Sequence, residues 1–224
     1  GGSTSGGGGG GAGGAGASGG PGSPNGAGGA GSPIAIETNT AKTYAAGGSG
    51  GEYPTNEHGT FATGDGGDSQ FNAGGKNGGS GIVVVRYQIA STGSAKATGG
   101  AISFYGGKTI HTFTSSGTFN APASISDCEY VCAGGGGAGG TRTGGGGGAG
   151  GVTTATGVTI GSGPWPIVVG AGGARNDDNT NNPATPGNIG TNTVATFPGG
   201  TVTAGYGGAG AGGGDTAPNP VQNA

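Results

Sequence analysis

Two cysteines, two histidines and ten acids are the first side chains to consider for catalysis or metal binding. Cys128 and Cys132 are spaced C-x3-C, and on an extended strand they fall on one face about 13 Å apart. That is too far for a mutual disulfide, which needs Cα atoms within about 7 Å. They read either as small hydrophobes packed in a strand or as partners in an interchain disulfide. His58 and His111 complete no zinc spacing with them. Asp65 and Asp68 in GDGGDS, and Asp177 and Asp178 in RNDDNTNN, offer oxygen ligands. Neither run has the spacing and closing glutamate of a calcium loop, so they read as solvated loop acids.

Familiar catalytic signatures occur here only through the abundance of glycine. G-x-S-x-G falls at 16–20 and 47–51, but no strand precedes either to build a nucleophile elbow. GGKT at 106–109 lacks the glycine a phosphate loop needs at position 102, which is Ile102, and it leads into a strand rather than a helix. No acid, base and nucleophile converge, so the sequence predicts neither an enzyme nor a cofactor. Recognition is better represented. GEYPTNEHGTF places Glu52, Tyr53, Asn56, Glu57, His58 and Phe61 on one loop, mixing aromatic and hydrogen-bonding groups as carbohydrate- or protein-contacting surfaces do. Asn176, Asp177 and Asp178 begin a second polar loop, 175–192. An ordinary packed loop is the alternative for the first, and solvated loop acids for Asp177 and Asp178 in the second.

The elements that must hold these loops are unusual. Of 224 residues 67 are glycine and only 8% are charged. Ordered glycine costs more backbone entropy than any other residue, so composition alone favours disorder. Against that, charge is scarce, and Val, Ile, Phe and Tyr are gathered into short alternating runs. Apolar residues nowhere repeat with a helical period, and an all-β fold of short antiparallel strands with little or no helix is predicted. IVVVRY at 82–87 is apolar on both faces at its centre, as in a strand covered on both sides. Thr109 to Thr114 alternates, and SSG is read as a hairpin turn into Thr118 and Phe119. The net charge of −3 with scattered Lys and Arg leaves no basic stripe for nucleic acid. The longest apolar run, 82–85, is far short of the roughly 20 residues that span a bilayer. Methionine is absent, so the chain is expected to be processed, or part of a longer or repeating polypeptide.

Glycine tracts at 6–20, 134–140, 144–151 and 207–214 can be ordered if they lie side by side. Without a Cβ, polyproline II chains approach until their amides and carbonyls bond between neighbours. One such rod is satisfied only by water; many satisfy one another. Alanines among the glycines mark slots with room for a methyl group.

HTFTSSGTF at 111–119, CEYVCAGGGGAGG at 128–140, PIVVGAGG at 166–173, TVATF before further glycine, and GGSGIVVVRY at 78–87 together resemble the glycine-rich domain of phage tail-fibre and other phage structural proteins. The resemblance implies a structural role in a virion or fibre, with receptor binding as its variant, and carries no catalytic residues. Cys128 and Cys132 stand where the pattern has aliphatic residues. The pattern ends on the GIVVVRY strand, which here comes first. Residues 1–90 are therefore read as the closing part of one domain, 91–98 as a linker and 99–224 as the opening part of a second. Completion by the next unit is expected, with Ile82, Val83, Val84, Val85 and Tyr87 pairing across units with Ile110 and Phe113. Copies of the chain, assembled head to tail in an extracellular or virion-attached fibre, are the expected partners, together with a host cell surface.

Overall fold

The computed structural model describes residues 6–20, 25–51, 57–70, 74–177, 184–198 and 200–213. Among them every regular element is a strand: β1 (Ser32–Ile34), β2 (Lys42–Tyr44), β3 (Ile82–Gln88), β4 (Ala101–Tyr105), β5 (Lys108–Phe113), β6 (Gly117–Ala121), β7 (Ile125–Ala133), β8 (Val152–Ile160), β9 (Gly163–Val168), β10 (Thr193–Phe197) and β11 (Gly200–Ala204). They form a five-stranded sheet β4-β5-β3-β7-β8, a four-stranded sheet β11-β10-β9-β6 and a β1-β2 hairpin. All the ladders are antiparallel.

β3 occupies the middle of the larger sheet because alternation gives it two apolar faces. Val83, Val85 and Tyr87 join Phe113, Phe119, Cys128, Cys132 and Ile167 in the core between the two sheets. Ile82 and Val84 face the other way, packing with Ile110, Val131, Ile36 and Tyr44 under the β1-β2 hairpin. A strand buried on both sides gains most where both edges are also bonded. Here β5 bonds one edge and β7 the other.

This arrangement corrects two expectations. The pairing of Ile82, Val83, Val84, Val85 and Tyr87 with the strand that carries Ile110 and Phe113 is made inside one chain, with Val83 opposite Phe113 and Arg86 opposite Ile110. Residues 1–90 and 99–224 therefore share one sheet, and β3 keeps no open edge for a neighbouring unit. The physical reason is proximity: a tether such as 89–100 holds its ends at an effective concentration on the order of millimolar, which a separate chain seldom reaches. The second correction concerns SSG. β5 and β6 lie in different sheets, β6 pairing with β9, so this segment crosses between layers. The true hairpin turn is Gly106 and Gly107, with φ of 57° and 74°, the type I′ geometry that matches the twist of flanking strands.

Below the sheets the glycine tracts form a slab of laterally bonded rods. Residues 134–141 show the rule. The amides of Gly134, Gly137 and Gly140 donate to Gly151, Gly148 and Gly145; those of Gly135, Ala138 and Thr141 donate to Thr191, Asn188 and Thr185; those of Gly136 and Gly139 donate to Gly79 and Lys76, all at 2.8–3.1 Å. A new neighbour at each successive residue and a return every third is the threefold symmetry of polyproline II. Close approach is what requires glycine. A Cβ built at Gly135, Gly137 or Gly140 would overlap the carbonyl of Ala171, Gly208 or Ala211. Residues 6–20 are two rods rather than one, folded back through the Gly11 to Gly14 bridge, with Gly8 donating to Ala17. Rods also run through 45–51, 64–70, 74–81, 170–177 and 184–192, where the sequence is mixed.

Candidate functional site

Rods leave the sheets from β7 and β9 and return into β8 and β10, and between β2 and β3 the chain comes back to the sheet side at Thr63, whose carbonyl accepts from Ala45 and whose amide donates to Ser80. Partway along the slab, where Gly67 donates to Gly137 and Gly139 donates to Lys76, side chains tie these segments together. Asn77 joins two of them. Its amide donates to His58 Nδ1 at 3.0 Å, and its side-chain Oδ1 accepts from the Arg175 amide at 2.8 Å. Asp68 ties in two more segments, accepting from the amides of Ser49 at 2.7 Å and Glu57 at 3.0 Å. Gln70 bridges to Thr141, which opens the turn of Arg142 and Thr143, both at positive φ (54° and 56°). That conformation is uncommon for a β-branched residue such as threonine.

The structure brings Glu57, His58, Asn176 and Asp177 into this region. Glu57 and His58 are exposed. Asn176 donates to the Pro186 carbonyl and accepts from Asn188 at 3.4 Å, while Asp177 pairs with Arg175 at 2.7 Å. Phe61 is not with them: it sits 67% exposed on a turn whose Thr63 amide bonds Ser80, at the sheet side. Glu52, Tyr53, Asn56 and Asp178 lie outside the described residues. Asp65 and Asp68 depart from the solvated-acid reading. Asp68 is buried and, like Asp65, which accepts from Ala46 at 2.8 Å, serves as an acceptor for slab amides. Asn77 and Arg175, the residues that join the two loops, were not singled out in sequence. The available signal is a lone Lys-Asn pair between glycines, GGKNGG, where polar side chains interrupt the glycines of a rod.

A sequence model of the glycine-rich domain matches residues 111–224, just over half the chain. The chain belongs to the glycine-rich domain family. The matched region begins inside β5 and holds β6 to β11 with the rods between them. β3 and β4 lie ahead of it. No curated protein and no solved structure was found to match the chain.

Elsewhere among the described residues, the buried reactive side chains serve the fold. The Tyr87 hydroxyl accepts from the amides of Lys96 (3.1 Å) and Ala97 (3.0 Å), so its own proton goes to His111 Nε2 at 2.8 Å. His111 Nδ1–H then donates to the Gly99 carbonyl at 2.7 Å. Every hydrogen-bonding position is used by the neutral ring, and burial pushes the His111 pKa below its ordinary value. Glu129 bonds Arg86 and Lys108, each at 2.7 Å. The Arg86 hydrogen bond is the main cause holding its carboxyl below the usual range. Cys128 and Cys132 are free and wholly buried. Burial pushes their thiols up to about 11 and about 12, so they remain protonated and unreactive at neutral pH.

Proposed function

We propose that this glycine-rich domain is a non-enzymatic structural module of an extracellular or virion-attached fibre, which holds recognition loops on its slab of rods. The observation that carries this reading is Asn77, which fastens the His58 loop and the Arg175 segment to the same rod. The slab supports it as a mount, since its rods are bonded laterally to several neighbours and resist bending. The resemblance to phage tail-fibre proteins favours a host-surface glycan or protein as the target. Head-to-tail assembly by exchange of β3 is not part of this reading, because both edges of β3 are taken.

The test is attachment. Purified protein applied to glycan arrays and to intact bacterial cells should bind, and His58→Ala with Asn176→Ala and Asp177→Ala should weaken binding about tenfold or more while the circular dichroism spectrum is kept. Binding that survives all three substitutions would overturn the assignment of the site.

A further inference from the structure

The five-stranded sheet ends on β4, and all five of its residues are exposed. Of the large apolar side chains most exposed among the described residues, three lie here within four positions: Ile102 at 41%, Phe104 at 53% and Tyr105 at 44%. Edge strands are ordinarily guarded by charge, proline or a bulge. From Ala97 to Gly107 the chain has none of the charged residues or prolines that would do this, and the β4-β5 register is unbroken from Ala101 to Tyr105. The opposite edge, β8, is different: its partner β7 slips register around Cys128, and Gly157 takes φ 67°.

We infer that β4 is a homodimerisation edge, pairing antiparallel with the β4 of a second copy about a twofold axis through Ser103. The hydrogen-bond parity fits. Tyr105 and Lys108 flank the two-residue turn, so the Tyr105 carbonyl accepts from the Lys108 amide and Tyr105 faces β5. Bonding direction alternates along an antiparallel strand, so Ala101 and Ser103 also face β5, while the amides and carbonyls of Ile102 and Phe104 point outward. With Ser103 on the axis, Ile102 stands opposite the second copy's Phe104, and the reverse. The outward groups of both strands meet in reciprocal pairs.

The side chains agree with that register. Ile102 and Phe104 lie on the same face, opposite His111 and Thr109. The twofold therefore sets an aliphatic against an aromatic side chain twice, a favourable cross-strand pair. Tyr105 falls opposite Ala101, large against small, and no charge opposes its own copy. Such a contact is isologous and closes at two copies. It is independent of the receptor reading, and loss of loop binding leaves it untouched.

Light scattering on purified protein at micromolar concentration should give a dimer. Ser103→Cys should form a covalent dimer under mild oxidation, because residues facing each other in a non-hydrogen-bonded pair have Cα atoms about 4.5 Å apart, within disulfide reach. The buried native thiols do not compete. Ile102→Lys with Phe104→Lys should give monomers, while Val168→Lys, at an exposed position on β9, should leave the dimer intact. A wild-type monomer would overturn the inference, as would a dimer that persists in the double lysine variant or a Ser103→Cys variant that fails to cross-link. Should the double variant not fold, the cross-link decides alone.

Discussion

A methyl group added at Gly137 would overlap the carbonyl of Gly208, whereas one added at Gly208 would meet nothing within 4 Å. The two residues touch across the same contact and yet have opposite tolerances, because each rod turns only one side in three toward a given neighbour. Gly137→Ala should therefore destabilise the fold by about 3 kcal/mol, the upper part of the range for overpacking. Gly208→Ala should be neutral or stabilise by about 0.4–1 kcal/mol through the unfolded chain. Denaturant unfolding of the two variants checks this; equal effects would mean that the slab yields around an added methyl. Alanine follows the same logic in the native chain. Ala138 is wholly buried in a rod, in one of the slots where a methyl group is accommodated.

At the scale of elements, the connector from β3 to β4 is pinned by the Tyr87 and His111 pair rather than by apolar packing alone. His111 is neutral in the fold and its pKa is lowered by burial, so the unfolded chain binds the proton more readily. Stability is then fully present above the unfolded histidine value of about 6.5, and declines as pH falls below it toward the folded value. The hydrogen bond to the Gly99 carbonyl acts in the opposite sense and offsets part of the burial effect. Chemical denaturation at pH 7.5 and pH 5 should show lower stability at pH 5, with amide exchange at Lys96 and Ala97 rising first. A His111→Gln variant should lose most of that dependence. An unchanged pH profile in the variant would place the titration elsewhere.

For the whole molecule, the placement of β3 makes the two halves of the chain mutually dependent. Residues 99–224 supply β5 and β7 but no strand between them, while 1–90 hold β3 and some of the rods that bond 134–151. The separate fragments 1–90 and 99–224 are expected to lack a cooperative unfolding transition, and an equimolar mixture should recover the β spectrum and amide protection of the intact chain. If 99–224 alone unfolds at the same midpoint as the full protein, the sheet does not need β3.

By itself the sequence determined the all-β class, the two-faced character of IVVVRY, the rods in the pure glycine tracts and the polar character of both candidate loops. Each of these rests on local periodicity or on the absence of side chains, which a short window contains. Tertiary structure decided the rest. Whether β3 is completed by its own chain depends on tether length and strand order, not on the residues of β3. Rods such as 74–81 escaped notice because only their inward positions, Gly75 and Gly78 among them, must be glycine, and which positions point inward is set by neighbours far along the chain. The meeting of His58 with Arg175 through Asn77 joins residues 98 apart along the chain at its widest link, a distance that no local pattern spans.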